Sequence, residues 1–213
     1  MSRSFSLVYC DCPPVGCIDI SHRCLSVSFW QCKLRYSSQE QILRVATEYV
    51  RRGLPISVIV IDFHHWIHEG DWRFSTALKP SDGCWPDPTA MANQLEEMGI
   101  KCAVSVWPDV QNDAINYVNM SNQGLLIRGA DGKSKPSVQG KDYIDAFNPA
   151  TRKYMFDQLV DGYISHGIDT FWMDATEPQG ANIGEWFYRL DDGKTHKDNE
   201  VAMAWVQQYH RMA

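Results

Sequence analysis

The sequence lacks any apolar run long enough to cross a membrane and any run of lysine and arginine. Its longest strongly apolar stretch, residues 56–61, has only the length of a strand. The formal net charge is −6 at pH 7, whereas proteins that bind nucleic acid need a basic surface. We therefore expect neither a nucleic-acid partner nor a membrane span.

The amino terminus lacks the apolar core and the cleavage site of a secretory signal peptide, so no compartment is predicted. The cysteine spacings near this end match no paired zinc motif, and an odd total of 7 cysteines cannot form a complete disulfide framework. Five cysteines fall in this region: Cys10, Cys12, Cys17, Cys24 and Cys32. We predict that residues 1–24 form a poorly structured, cysteine-rich leader.

The remaining chain has the composition of a globular domain, with 44% hydrophobic and 22% charged residues. Strand-like and helix-like segments alternate along it. The predicted strands are residues 25–30, 56–62, 100–107 and 168–174, and the predicted helices are residues 37–52, 89–98, 148–166 and 199–212. Ser37 with Glu40 fits a capping box, Asn148 with Pro149 fits a helix start, and the glycines at 129–132 suggest a small hairpin.

Four strand–helix units in succession predict an α/β fold with a parallel sheet. The β-branched run at residues 56–62 is typical of a strand buried on both faces. No dinucleotide-binding glycine motif follows a strand, whereas Asp62, Trp107 and Asp174 come at strand ends. We therefore predict that residues 25–213 form a partial (β/α)8 TIM barrel, about the first four βα units of a fold that needs eight strands.

Asp174 ends the last predicted strand, and Glu177 follows three residues later, before Pro178. Catalytic groups of α/β proteins gather at the carboxyl ends of the parallel strands. An acid at such a position can bind a metal, accept a proton or attack a substrate. The residues alone leave these three roles open.

Residues 167–178, which read GIDTFWMDATEP, resemble the nucleophile signature of glycoside hydrolase family 31, the retaining α-glucosidases and α-xylosidases. Further likeness lies at residues 29–33, 36–40, 54–62, 106–108 and 147–149. The resemblance covers residues 27–213 and implies a (β/α)8 barrel with its nucleophile after the fourth strand. It also implies an oligosaccharide or glycoside substrate with a terminal α-linked xylose or glucose, and no cofactor.

The resemblance assigns roles to five residues. It implies that Asp174 attacks the anomeric carbon to form a glycosyl-enzyme intermediate, that Asp62 binds sugar hydroxyls and that Trp107 lines the pocket. Trp172 is a further expected substrate contact, and Glu177 is expected to support the loop or the nucleophile. Many α-glucosidases of the family carry Met-Asn after the nucleophile. The Ala-Thr found here is more similar to α-xylosidases, although better-known bacterial α-xylosidases have lysine in place of Trp172, so the choice of sugar stays open.

Retaining glycosidases need a second carboxyl group, which acts as general acid and base. In family 31 this group is an aspartate well downstream of the nucleophile, in the second half of the barrel. The resemblance therefore implies that these 213 residues hold the nucleophile without the acid/base, and that this chain is inactive alone.

Two other interpretations of the sequence remain. His64 and His68 have the spacing of two ligands on one helix face, which suggests a metal-dependent hydrolase, although no glutamate follows His64 as in the zinc peptidase motif. We favour no metal. Alternatively, a half-barrel without turnover serves as a carbohydrate-binding or interaction fragment, with self-association through its open sheet edges.

Overall fold

The computed structural model describes residues 28–76, 84–129, 140–176, 187–189 and 195–212. The predicted leader at residues 1–24 lies outside these ranges. Within them the strands are β1 (Trp30–Lys33), β2 (Val58–Ile61), β3 (Lys101–Val106), β4 (Asp109–Gln111), β5 (Lys141–Tyr143), β6 (Thr170–Met173), β7 (Phe187–Arg189) and β8 (Thr195–Lys197). The helices are α1 (Gln39–Arg51), α2 (Pro88–Glu97), α3 (Tyr117–Gln123), α4 (Pro149–Gly162), α5 (Asp198–His210) and a 3₁₀ turn at Ile164–His166.

Four strands form one parallel sheet in the order β1-β2-β3-β6. The order of the strands in the sheet is also their order in the chain. Two short antiparallel pairs, β4–β5 and β7–β8, stand apart from this sheet. The predicted parallel sheet of four strand–helix units is confirmed, and it is consistent with part of a (β/α)8 barrel.

The two faces of the sheet pack against different partners because strand side chains alternate. Ile59, Ile61 and Val104 belong to the large core that also contains buried residues of α1, α2 and α4. Val58, Val60 and Ala103 form a separate small cluster with Trp30. Helices cover the outside of a (β/α)8 barrel, so we call the face with this second cluster the inner face.

Several predicted boundaries are wrong by a few residues. The first strand starts at Trp30 rather than residue 25, because the ladder with β2 fixes its extent, and residues 25–27 lie outside the described ranges. The long helix from residue 149 ends at Gly162, because Tyr163 leaves the helical region (φ −137°, ψ −51°). The predicted hairpin turn falls largely in residues 130–139, which the structure does not describe.

The helix caps agree with the sequence in chemistry but not always in position. Asn148 caps α4 and Pro149 is its first residue, as predicted. The cap of α1 is Ser38 rather than Ser37, since the Ser38 side chain accepts the Gln41 N–H at 3.2 Å. The side-chain oxygen of Gln41 in turn accepts the Ser37 N–H at 2.9 Å. Gln41, one position after the predicted Glu40, thus makes a variant of the capping box in which its side chain accepts the N–H of the residue before the cap.

Gly162 lets the end of α4 press closely onto the loop after β2. A Cβ at this position would lie 2.1 Å from the carbonyl oxygen of Trp72 and 3.0 Å from the Cβ of Arg73. Any side chain would therefore push the helix away from the loop. This contact fixes α4 against the segment that carries much of the site described below.

No helix in the described part of the chain is both long and apolar enough to cross a membrane.

Candidate active site

The structure brings the three predicted strand-end residues to one edge of the sheet. Asp62 follows β2, Trp107 follows β3 and Asp174 follows β6, and all three strands run parallel. Each residue stands two positions after an inner-face residue of its own strand, so strand alternation places it on the inner side. The carboxyl edge of the inner face is therefore the candidate site.

Cys32 of β1 contacts one candidate carboxylate and senses the charge of the other. Its Sγ is 3.8 Å from Oδ2 of Asp62. Burial raises the pKa of the Cys32 thiol, and the negative charges of Asp62 and, more weakly, Asp174 raise it further. Both carboxylates therefore act electrostatically on the same sulfur, which indicates that they share one site.

Asp174 is held by its backbone. Its N–H continues the β3–β6 ladder by donating to the carbonyl oxygen of Val106 at 2.9 Å. The next residue, Ala175, has a left-handed backbone (φ 53°), a conformation that non-glycine residues rarely adopt. The strand therefore turns sharply directly after the carboxylate. Unfavourable backbone geometry of this kind is concentrated at functional sites.

Tyr209 of α5 supports the same carbonyl oxygen. Its hydroxyl donates to Val106 O at 2.7 Å, and its ring stacks on Trp205 with the centroids 5.9 Å apart. Burial raises the pKa of Tyr209 well above its ordinary value, and the charges of Asp109 and Asp174 add to that effect. The phenol therefore stays protonated and remains a donor.

Asp62 is tied at both its side chain and its backbone. Its Oδ1 accepts the N–H of Phe63 at 2.7 Å. Its carbonyl oxygen lies 3.1 Å from the ring Nδ1 of His65, a fully buried histidine. The carboxylate is half-buried and therefore still open to a ligand.

Trp107 stands in an aromatic cluster beside Asp62. Phe63 stacks on it with a centroid separation of 5.3 Å, and Trp66 meets it edge-on at 5.7 Å. The ammonium of Lys141 lies 5.8 Å from its ring centre. Its carbonyl oxygen accepts the Nε1–H of buried Trp72 at 2.9 Å. These contacts hold Trp107 beside Asp62 at the carboxyl edge of the inner face.

A buried charged cluster lies next to Trp107. Lys141 forms ion pairs with Glu69 and with Asp109, the second at 3.1 Å. Burial raises the pKa of Asp109 to about 6, and the charge of Glu69 raises it while Lys141 lowers it. One lysine shared by two acids leaves the cluster with an excess of negative charge above that pH.

Trp172 of β6 lies on the inner face opposite Ser105 in the register, and 48% of it is exposed. It therefore offers an open aromatic surface two residues before Asp174. Glu177, the fifth predicted site residue, lies outside the described residues.

The helical spacing inferred for His64 and His68 is wrong. Neither residue is in a helix, and His64 has a left-handed backbone (φ 60°), because the chain leaves β2 as an irregular loop. In the described ranges no three histidine, cysteine, aspartate or glutamate side chains cluster as metal ligands. The two histidines therefore lack the helical geometry on which the metal-site hypothesis depended.

Sequence reasoning missed the buried residues that support the site. His65, Trp72, Tyr163 and Tyr209 hydrogen-bond to backbone or to one another under the candidate residues. The density of aromatic residues in 63–74 was a usable signal, since buried rings with polar atoms need partners. Their partners are distant in the chain, so the pairing itself was not visible.

Two carboxylates and several aromatic side chains thus gather at the carboxyl edge of a parallel βα sheet, where (β/α)8 barrel enzymes place their active sites. The chain belongs to glycosyl hydrolase family 31: the model for the family's TIM-barrel domain matches residues 23–212. The chain is 42% identical over 152 residues to an uncharacterized family 31 glucosidase of Pseudescherichia vulneris, covering 70% of this chain and 28% of that protein. It is 33% identical over 164 residues to α-xylosidase A of Aspergillus niger, covering 75% and 21% respectively.

Solved structures give the same family. A GH31 α-xylosidase from a soil metagenome, complexed with xylose, superimposes with a TM-score of 0.75 at 39% identity. The match covers 87% of this chain and 26% of that one. The chain thus spans about a quarter of the length of the relatives that it matches.

Proposed function

We propose that this chain carries the nucleophile half of a retaining α-glycosidase site for terminal α-linked xylose or glucose. The supporting observation is the position of Asp174 at the end of the fourth parallel strand, on the same edge as Asp62 and Trp107. Relatives named α-xylosidase and a structural relative complexed with xylose favour xylose. The activity itself is proposed for the longer protein in which such a half would act.

In this proposal Asp174 attacks the anomeric carbon of the sugar. A new bond forms between a carboxylate oxygen and that carbon, and the glycosidic bond breaks with its electron pair leaving on the departing oxygen. A second carboxyl group about 5 Å from the nucleophile protonates that oxygen, and then activates the water that releases the sugar. We propose that this acid/base comes from residues outside the 213 of this chain.

The bonding of the two acids supports this division of roles. Asp62 already accepts a backbone N–H at 2.7 Å and faces the thiol of Cys32. No hydrogen bond from a described residue reaches the Asp174 carboxylate. Hydrogen bonds stabilise the charge of a carboxylate and reduce its reactivity as a nucleophile. These bonds suit Asp62 as an acceptor for sugar hydroxyls, while its place at the end of the fourth parallel strand suits Asp174 as the nucleophile.

The aromatic residues complete the proposed pocket. Trp107 is fixed by its neighbours and suits one wall of the sugar site. Trp172 is open and suits a face of the sugar or of the group beyond it. Glu177 is proposed to support the loop after Asp174 rather than to act as the general acid, because it follows on the same short segment.

The test is covalent trapping with activated α-xylosyl and α-glucosyl fluorides, read by intact mass and peptide mapping. Fluoride leaves with little help from an acid, so the trap reports on the nucleophile alone. We expect one sugar adduct, mapped to Asp174, and faster labelling by the xylosyl compound. Asp174→Asn should abolish it. The matched control is Asp169→Asn, which makes the same change at an exposed residue just before β6.

Two results would overturn the proposal. Labelling that survives in Asp174→Asn would assign the reactive group elsewhere. Absence of any adduct on a folded sample, shown by its circular dichroism, would restrict this chemistry to a longer protein and leave the chain as a fragment without it. The sample's size in solution, measured alongside, tests self-association through the sheet edges.

A further inference from the structure

A buried histidine holds the backbone of one proposed sugar contact. His65 follows Asp62 by three residues and is 0% exposed. Its Nδ1 lies 3.1 Å from the carbonyl oxygen of Asp62, and its Nε2 lies 2.7 Å from the hydroxyl of Tyr163. Both nitrogens of one ring thus have a partner, and those partners lie far apart in the chain.

The two bonds determine where the ring proton lies. A backbone carbonyl oxygen can only accept, so Nδ1 must carry a proton. Burial lowers the pKa of His65 to about 4, and the ring is neutral near pH 7. Nε2 is then an acceptor, and the Tyr163 hydroxyl must donate to it. Burial raises the pKa of Tyr163 well above its ordinary value, so the hydroxyl keeps its proton near pH 7 and remains a donor.

Tyr163 also packs against β6, the strand that precedes Asp174. It closes the end of α4, immediately after Gly162. Its ring meets Phe171 of β6 edge-on, with the centroids 6.1 Å apart. Phe171 lies in β6, three residues before Asp174, which follows this strand. The histidine–tyrosine pair therefore contacts both the loop after β2 and the helix-side face of β6.

We propose that His65 is a positioning residue that fixes the Asp62 backbone for sugar binding, with its tautomer set by Tyr163. The proposal rests on the proposed role of Asp62 as a sugar contact. His65 acts through Asp62 and does not touch the sugar itself. The backbone of Trp107 is held in the same way, by a buried ring: Trp72 donates its ring N–H to the carbonyl oxygen of Trp107.

A competing explanation is that His65 only fills space. It packs against Trp66 and Phe74 with centroid separations of 4.5 and 5.1 Å, as an apolar ring would. Two substitutions separate the explanations. The amide nitrogen of His65→Asn can replace Nδ1 and keep the bond to Asp62 while losing Tyr163. The longer His65→Gln keeps the reach to Tyr163 and loses Asp62.

The first measurement is a long-range proton–nitrogen NMR spectrum of the ¹⁵N-labelled wild-type chain near pH 7. We expect His65 in the form with the proton on Nδ1, with Tyr163→Phe weakening that preference. A spectrum with the proton on Nε2 would overturn the proposal. This readout requires no variant of His65 and no activity.

The second measurement is hydrogen exchange of the Phe63 amide, which is bonded to the Asp62 side chain. Loss of one buried hydrogen bond predicts about tenfold faster exchange in His65→Gln, with little change in His65→Asn. Equal acceleration in both variants, matching their losses in global stability, would show a space-filling role and overturn the proposal.

The third measurement is the rate of Asp174 labelling by the xylosyl fluoride in the same variants. We expect about a tenfold loss in His65→Gln and a smaller one in His65→Asn. If the wild-type chain is not labelled at all, the proposed function fails while the tautomer and the exchange data still decide the role of His65. If labelling occurs but falls equally in both variants, the positioning role fails alone.

Discussion

The ends of β2 and β6 each bring a carboxylate to the inner face, yet the chain surrounds the two acids differently. Asp62 is bonded through its side chain to Phe63 and through its carbonyl oxygen to His65. Asp174 is placed by one ladder bond to Val106, followed by a sharp turn at Ala175. Among the described residues, the Asp62 side chain thus has hydrogen-bond partners of its own, whereas Asp174 is held through its backbone N–H.

The tryptophans repeat this contrast. Trp72, in the loop after β2, is 1% exposed and bonded to Trp107 O. Trp172, in β6, is 48% exposed. The loop after β2 thus buries its tryptophan, whereas β6 exposes its tryptophan on the inner face. Four experiments test this contrast.

The largest difference is expected between Trp72→Ala and Trp172→Ala. Removing a fully buried tryptophan costs about 3–5 kcal/mol of unfolding free energy, because a cavity remains and Trp107 O loses its donor. Removing the half-exposed one should cost under about 1 kcal/mol. Urea denaturation of both variants measures this. Equal losses would mean that the β6 face is as tightly packed as the loop after β2.

A second expected effect is a pH dependence from His65. Its pKa is about 4 in the folded chain, because of burial, and about 6.5 when unfolded. Between these values the unfolded chain binds the extra proton, so stability falls as pH decreases from about 6.5 to 4, by about 3 kcal/mol. His65→Asn should remove this term.

Asp109, which follows β3, also titrates in this pH window. The pKa of Asp109 is raised to about 6 by burial, so its term has the opposite sign: stability is lost as pH rises from about 4 to 6. Denaturation midpoints of wild type and His65→Asn across this window isolate the histidine. Parallel curves for the two proteins would show that His65 titrates normally.

A third experiment tests the His65–Tyr163 bond by a double-mutant cycle. His65→Phe keeps a ring at this position. The Tyr163 hydroxyl then loses its acceptor and the Asp62 carbonyl oxygen loses its donor, which should lower the free energy of unfolding by about 2 kcal/mol. Adding Tyr163→Phe removes one of the orphaned groups. The double variant should therefore be more stable than the sum of the single losses predicts, by about 1 kcal/mol. Strict additivity would show that the 2.7 Å contact contributes nothing.

The smallest expected effect compares Asp62→Ala with Asp174→Ala. The first removes the acceptor of the Phe63 N–H and should cost about 1 kcal/mol. The second removes a carboxylate that no described residue bonds and should change stability by less than about 0.5 kcal/mol. Thermal unfolding of the two variants measures both. A larger loss at Asp174 would identify it as a structural acid.

Much of the scaffold was predictable because it depends on local patterns. The β-branched run before Asp62 predicts a doubly buried strand, and the structure shows Val58–Ile61 fully buried. Asp174 was correctly expected after the fourth strand of the sheet. Residues adjacent in sequence carry such signals, because strand period and helix capping act over a few residues.

The supporting layer was not predictable, because its contacts span the chain. The histidine spacing drew attention to His64 and His68, whereas the fully buried histidine with both ring nitrogens hydrogen-bonded is His65. Its partner Tyr163 is 98 residues away. Cys32 was counted with the cysteines of the leader, although strand pairing places it beside Asp62. Only the assembled sheet brings these groups together.

The identity of chain order and sheet order has a consequence for synthesis. Each new strand leaving the ribosome finds its neighbour already made, so the sheet can grow along one edge only. The chain between paired residues lengthens at each step, from Trp30 with Val58, to Val58 with Lys101, to Ala103 with Thr170. Longer loops close more slowly and at greater entropic cost. We therefore expect the strand that carries Asp174 to dock last of the four, onto an edge that the earlier strands have already prepared.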